Sequence, residues 1–435
     1  MTARGLLAAE FDALLERDYP QQFLDASHLL RRSVRGEDMF DLGSSGRAFL
    51  MRWFLESRAL KVILAGQARS RAISRPHDHC TVAGLFLPDR PDYAVLLAPV
   101  LQELQRQGHR TCVLTENASS VDPRLFAGLE VIDLEHWATL ETYEKALGTH
   151  GRLADARVRF ANEFGLQGRQ RQTVELILRA QAWQQHAFAA ALSALRPLVV
   201  LGLHLTMFPG IAAALRERRA SALPVSTILI QHGVFSGSWE EHDFRGADLV
   251  LTWGDYFSEE LSSFPGPLPR MAAVGHPRLE AMLLSRHNTH KDRANDVGTS
   301  SGRHRVVFLG TNGVEADDTA AIELVAEAFQ HDASIDLRFL PHPNEPRTKY
   351  ERLVSSRLIE PDQVVTGGST YQQVLEAALV LGTQTTMLPE SLALGIPVIQ
   401  VLPERFSVDW QRQGMATASD VDSLQTAARA VLSDP

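Results

Sequence analysis

The chain has 435 residues with ordinary apolar and charged fractions and a formal charge of -9 at pH 7, which fits two or three domains, each with its own core. The acidic balance repels phosphate backbones and anionic lipid, so nucleic acid is excluded as the default partner. Cys80 and Cys112 have the spacing of neither a disulfide framework nor a zinc knuckle, and point to a reducing compartment.

The first residues run quickly into Glu10, Asp12 and Glu16, an amphipathic helix start and not a signal peptide. Residues 1–78 read as a helical extension, with Leu6, Leu7, Phe11, Leu14 and Leu15 on one face and Phe49, Leu50, Trp53 and Phe54 on another. Between Arg31 and Arg75 basic residues outnumber acidic ones by roughly six, and Arg47, Arg52, Arg58 and Lys61 interleave with Trp53 and Phe54. That interleaving is the pattern of an interfacial helix, although a solvated face packed on the body of the protein accounts for it more simply.

After Arg75-Pro76 strands and helices alternate. A strand over 82–87, a helix over 95–107 closed by Gly108 and a strand over 109–115 form a β-α-β unit, which implies a parallel sheet with helices on its faces. A helical stretch over 143–195 follows, then strands over 198–203, 226–231, 247–252 and 271–274. The uncharged run from Leu198 to Leu215 nearly reaches the roughly 18-residue mark for a membrane span. It holds Gly202, His204, Thr206, Pro209 and Gly210 and reads as a strand, a loop and the start of a helix.

Residues 285–303 are polar and almost free of large apolar side chains, as expected of a linker. Beyond them come strands over 305–309, 336–340, 363–365, 379–381 and 397–401. Helices are expected over 319–330, around 350–353, over 371–375, 389–394 and 421–432; the last either closes the second domain or crosses back to the first. The expected organisation is thus a helical extension (1–78), a first Rossmann-like domain (79–284), a linker and a second Rossmann-like domain (304–435). No residue-level repeat links the two halves.

Candidate functional residues sit where strands end, the place at which open α/β sheets bind ligands. Gly310-Thr311-Asn312 closes one strand in a turn able to approach an anion, although a plain turn has the same look. His342, flanked by Pro341 and Pro343, can donate to a phosphate oxygen. Thr385 and Thr386 precede a helix whose first turn carries Glu390, a carboxylate that either caps the helix or accepts the hydroxyls of a ribose. In the first half, His232 follows Gln231 and precedes Gly233, a reasonable position for a general base. Asp248 reads as the start of a strand, Asp420 as a helix cap, and the metal-like run His77-Asp78-His79-Cys80 as too local to surround an ion. There is no Walker loop and no Gly-x-Ser-x-Gly elbow.

Taken together, Gln231-His232-Gly233, Ala247-Asp248 through Trp253-Gly254, Val274-Gly275-His276-Pro277-Arg278, Pro341-His342-Pro343 and Thr386 through Pro397 resemble the GT-B glycosyltransferases. The likeness is to bacterial capsule and surface-polysaccharide transferases, of the polysialyltransferase, Kdo-transferase and CDP-glycerol glycerophosphotransferase kinds, and covers about residues 80 to 415. It implies two Rossmann-like domains facing a cleft, the C-terminal one for the nucleotide donor and the N-terminal one for the acceptor. His342 would then contact the donor phosphates with Thr385 and Thr386 beside it, and Glu390 the ribose. Gln231, Gly233 and Trp253 would lie on the acceptor side with His232 as base.

The activity so implied is metal-independent transfer of a sugar from a nucleotide donor to a hydroxyl of a surface glycan or glycolipid. It needs no cofactor, since the nucleotide sugar is the substrate, and it would take place in the cytoplasm or at the inner membrane. A CDP-polyol phosphotransferase, a nucleotide-sugar 2-epimerase and a catalytically silent GT-B partner subunit are the alternatives.

Overall fold

The computed structural model describes residues 8–35, 79–87, 91–116, 118–137, 139–205, 209–220, 224–233, 244, 246–262, 268–280, 282–283, 303–311, 315–342, 347–365, 367, 369–402 and 414–433. The chain forms two compact units, Met1–Pro277 and Arg278–Pro435.

In the first unit, strands β1 (Val82–Leu85), β2 (Thr111–Thr115), β3 (Glu130–Asp133), β4 (Val199–Gly202), β5 (Ser226–Ile230), β6 (Leu249–Thr252) and β7 (Arg270–Ala273) form one sheet in the order β3-β2-β1-β4-β5-β6-β7. Every neighbouring pair is parallel. Such a sheet is covered on both faces, so its central strands are buried throughout, as in Val82–Leu85 and Thr111–Thr115. The expected strands are present within a few residues of their predicted ends. The edge strand β3 was not foreseen: only Ile132 of its four residues is buried, so it lacks the continuous apolar run.

The helices α1 (Ala8–Asp18), α2 (Gln21–Asp25) and α3 (Ser27–Arg35) come first, and α4 (Pro91–Arg106) connects β1 to β2. The predicted helical stretch before β4 comprises α5 (Leu140–Arg152), α6 (Ala154–Glu163) and the 28-residue α7 (Gly168–Leu195). Helix α5 starts at a reciprocal cap, with Thr142 N donating to Thr139 Oγ1 and Thr139 N to Thr142 Oγ1. Phe11, Phe23 and Leu30 of α1–α3 share a core with Phe160 of α6 and Ile177 of α7. These first helices therefore bury their apolar face against α6 and α7 of the same unit. Most of the basic segment 31–75 lies outside the described residues.

Helix α8 (Pro209–Arg219) packs closely on α7. Gly210 makes this approach possible: a Cβ there would stand 2.2 Å from Gln181 O and 2.6 Å from Gln185 N. Helix α9 (Asp255–Ser262) links β6 to β7. No helix among the described residues is long and apolar enough to cross a membrane.

In the second unit, β8 (His304–Leu309), β9 (Ile335–Leu340), β10 (Leu379–Gly382), β11 (Val398–Val401) and β12 (Ala416–Ala418) form a parallel sheet in the order β12-β11-β10-β8-β9. The intervening helices are α10 (Glu315–Phe329), α11 (Arg347–Ser355), α12 (Thr370–Leu375), α13 (Met387–Ala393) and α14 (Val421–Ser433). Phe308, Phe339, Leu381 and Ile399 meet Ile322, Val325 and Leu424 in its core. Helix α14 packs on α10, β10, β11 and β12, and Gln425 donates to Ala328 O, so the final helix closes this unit.

One predicted strand, 363–365, is corrected: Pro361–Gln363 is a 3-10 turn, and among the described residues the ladder contact here is an isolated bridge between Val364 and Phe339. The proline at its start and the bond from Glu360 N to Gln363 Oε1 commit these residues to a turn.

Candidate functional site

Both sheets reverse strand order once. In the first unit the chain winds outward from β1 to β2 and β3, then returns to build β4 through β7, so the switch point lies between β1 and β4. In the second it lies between β8 and β10. Open α/β sheets bind ligands outside the carboxyl ends of their strands at such points, and His232, Trp253, Thr311 and His342 all follow strand ends of their sheets.

In the first unit, Gln231 leaves β5 completely buried. Its Nε2 donates to Gly233 O at 2.9 Å, Trp253 N donates to its Oε1 at 2.8 Å, and the Trp253 indole donates to its carbonyl at 2.9 Å. Gln231 thus ties the turn after β5 to the turn after β6. Gln231, expected on the acceptor side, has no exposed surface and both amide atoms engaged, so its side chain positions its neighbours.

His232, the next residue, is half-buried. Its ring lies 5.1 Å from Tyr93, at the start of α4, and 5.0 Å from His204, after β4; Tyr93 and His204 are 5.6 Å apart. Tyr93 and His204 are themselves buried. The elements following β1, β4 and β5 therefore converge at the switch point on a three-ring cluster whose more exposed member is the predicted base. Trp253 stacks on His276, with centroids 4.1 Å apart.

Behind this edge Glu116, at the end of β2, is buried and accepts a 2.6 Å bond from Gln184 Nε2, while Gln184 Oε1 accepts from Gly210 N at 3.1 Å. Glu260 in α9 is also half-buried, and burial pushes its carboxyl up to about 7. Asp248 holds the start of β6 by accepting from Thr227 N and Arg219, the structural role expected of it. Asp243 and most of the loop after Gly233 lie outside the described residues.

In the second unit Gly310 continues the ladder, its N–H donating to Leu340 O, and Thr311 beside it is buried. Asn312 lies outside the described residues. His342 is half-buried at the end of β9. Across the switch point Thr383 is fully buried, its carbonyl accepting from Gln400 Nε2 while its Oγ1 makes no hydrogen bond. Thr385 and Thr386 are half-buried before α13, and Thr385 Oγ1 accepts from Met387 N at 3.5 Å. Thr386 has helical backbone angles and its hydroxyl does not cap the helix.

Glu390 is buried and accepts a hydrogen bond from the Tyr371 hydroxyl of α12. Burial and the adjacent Glu390 carboxylate hold that phenol protonated far above its usual range. After Glu390, α13 ends at Gly395, whose φ of +76° allows Gly395 N and Ile396 N to reach Leu392 O and Ser391 O.

His204, Tyr93 and Tyr371 were not among the expected site residues. His204 had only a position between an apolar run and Pro209 to mark it, Tyr93 precedes the helix predicted over 95–107, and Tyr371 only opens the one predicted over 371–375. Asp420 caps α14 as expected, accepting from Ser423 N at 2.8 Å. Cys80 Sγ and Cys112 Sγ lie 3.2 Å apart as buried free thiols. Among the described residues no group of three or more His, Cys, Asp or Glu is arranged to hold a metal ion.

No family model and no curated protein matches this sequence. Solved structures do. A UDP-GlcNAc 2-epimerase from Neisseria meningitidis, bound to UDP-GlcNAc, superposes with a TM-score of 0.51 at 14% identity over 81% of this chain and 92% of its own. The lipopolysaccharide outer core galactosyltransferase WaaB, in its apo form, gives a TM-score of 0.50 at 10% identity over 81% and 90%. The UDP complex of MnaA from S. aureus gives 0.50 at 14% identity over 81% and 88%. The fold is GT-B. At such identities it is the GT-B architecture that is shared, and the chemistry of this chain has to be argued from its own residues.

Proposed function

We propose that this GT-B protein transfers a sugar from a nucleotide donor to a hydroxyl of a surface glycan or glycolipid. The observation that carries the reading is the placement of Thr311, His342, Thr385 and Thr386 after the carboxyl ends of β8, β9 and β10, around the switch point of the second sheet. Hydroxyls, an imidazole and backbone N–H groups at such an edge suit a diphosphate. Departure of the sugar leaves an extra negative charge on the nucleotide phosphate, and donors fixed beforehand stabilise it as it develops. Glu390 would accept from a ribose hydroxyl.

In the first unit His232 would take the proton of the acceptor hydroxyl as the new glycosidic bond forms. Its half-buried ring, backed by Tyr93 and His204, has a defined direction, and the turn behind it is fixed by Gln231. Gly233 leaves room beside it for an acceptor, and Trp253 offers an aromatic face for a sugar ring. Contact with the inner membrane through the basic N-terminal segment is part of this proposal.

The likeness to 2-epimerases favours one rival, in which the same donor residues serve an epimerisation. One assay separates the two. Incubated with UDP-, CMP- and GDP-sugars and a panel of lipid-linked glycans, the protein is expected to release nucleotide only when donor and acceptor are both present, as followed by phosphorus NMR. Conversion of UDP-GlcNAc into its 2-epimer without acceptor would replace the transferase reading.

A further inference from the structure

The second unit begins with an arginine that meets no carboxylate among the described residues. Arg278, in the helical turn at 277–280, lays its guanidinium over the Tyr371 ring at 3.6 Å from the centroid. Among the described residues it makes no hydrogen bond and no ion pair, while Arg305 of the same unit is held by Asp336 and Glu376, and Arg338 by Asp336. The nearby carboxylate of Glu390 is engaged by the Tyr371 hydroxyl.

The stack spends one face of the guanidinium and fixes its plane, leaving the N–H groups along its edge to donate. A half-buried guanidinium held flat in this way is preorganised for the paired oxygens of a phosphate. Its location follows from the contacts: Arg278 touches Tyr371, Tyr371 touches Glu390, and Glu390 stands in the first turn of α13, directly after the Thr383–Thr386 loop at the switch point.

We propose that Arg278 binds a phosphate of the nucleotide handled by the second unit, with Tyr371 as the platform that orients it. The proposal rests on the reading of that unit as the nucleotide site. It adds the Arg278 guanidinium to the hydroxyls and imidazole at the strand ends of the same unit.

The test is calorimetric titration of wild type, Arg278→Gln and Arg278→Lys with UDP, CDP and GDP and with uridine, cytidine and guanosine. The diphosphate that binds wild type is expected to lose about tenfold or more in affinity with Arg278→Gln. The matching nucleoside should bind both proteins equally, and the salt dependence of diphosphate binding should weaken. Arg278→Lys should recover part of the loss, since it restores the charge without the planar fork.

Equal losses for nucleoside and diphosphate would overturn the proposal, placing the guanidinium against the base or in a purely structural role. So would unchanged diphosphate affinity in Arg278→Gln. Because nucleoside binding is measured on the same samples, it also reports whether the variant is folded. If wild type binds none of these compounds, the nucleotide-site reading fails first; if wild type binds and Arg278→Gln binds as tightly, only this inference fails.

Discussion

Gly210→Ala is expected to destabilise the first unit by about 3 kcal/mol, because the added methyl has nowhere to go. It would meet Gln181 O at 2.2 Å, Gln184 Cβ at 2.4 Å and Gln185 N at 2.6 Å, and two of these three atoms belong to the backbone of α7. Relief requires α8 to move away from α7, which breaks the bond from Gly210 N to Gln184 Oε1 and disturbs the bond from Gln184 to Glu116. For a unit of this size such a loss corresponds to a fall in melting temperature of about 6–12 °C, readable by scanning calorimetry. An unchanged melting temperature would show that the two helices do not approach this closely. Since α8 follows the loop that carries His204, the variant should also perturb the Tyr93–His204–His232 cluster.

His232→Ala is expected to lower sugar transfer by about 10²- to 10⁴-fold, the usual contribution of a general base. The loss should fall on kcat more than on KM, because a base acts on the acceptor proton in the transition state and adds little to ground-state binding. Melting should be nearly unaffected: the turn around His232 is held by Gln231, and the ring packs on its neighbours without being fully buried. His232→Ala with full transfer activity would remove the catalytic assignment. His204→Phe, which preserves the packing of a ring behind His232, provides a comparison in which the base itself remains.

Parallel sheets buried on both faces write themselves into the sequence as apolar runs, which is why Val82–Leu85, Ile228–Ile230, Val306–Leu309 and Leu379–Gly382 were legible. The edge strands β3 and β12 were not: Glu130 and Asp133 flank the first, and the second is only Ala-Thr-Ala. A parallel edge strand needs one neighbour and one covered face, so its residues carry a weak pattern.

The candidate site was legible in part for a related reason. His232, His342 and Thr385-Thr386 stand at strand ends, and strand ends can be read locally. The roles of Gln231, Tyr371 and His204 depend on partners brought in from other elements. Gln231 has its meaning through Trp253, Tyr371 through Glu390 and Arg278, and His204 through Tyr93 and His232. Glu390 could be picked out in the first turn of its helix, whereas Tyr371, which donates to it, marked only the start of another predicted helix.

The central claim is that the second unit binds the nucleotide of the donor, and the most direct measurement is titration of UDP, CMP, CDP and GDP into wild type and His342→Ala. One nucleotide is expected to bind wild type, with its affinity reduced about tenfold or more in His342→Ala through loss of a charge-assisted bond to phosphate. Equal affinity of the two proteins for that nucleotide, or no binding of any of the four to wild type, would contradict it.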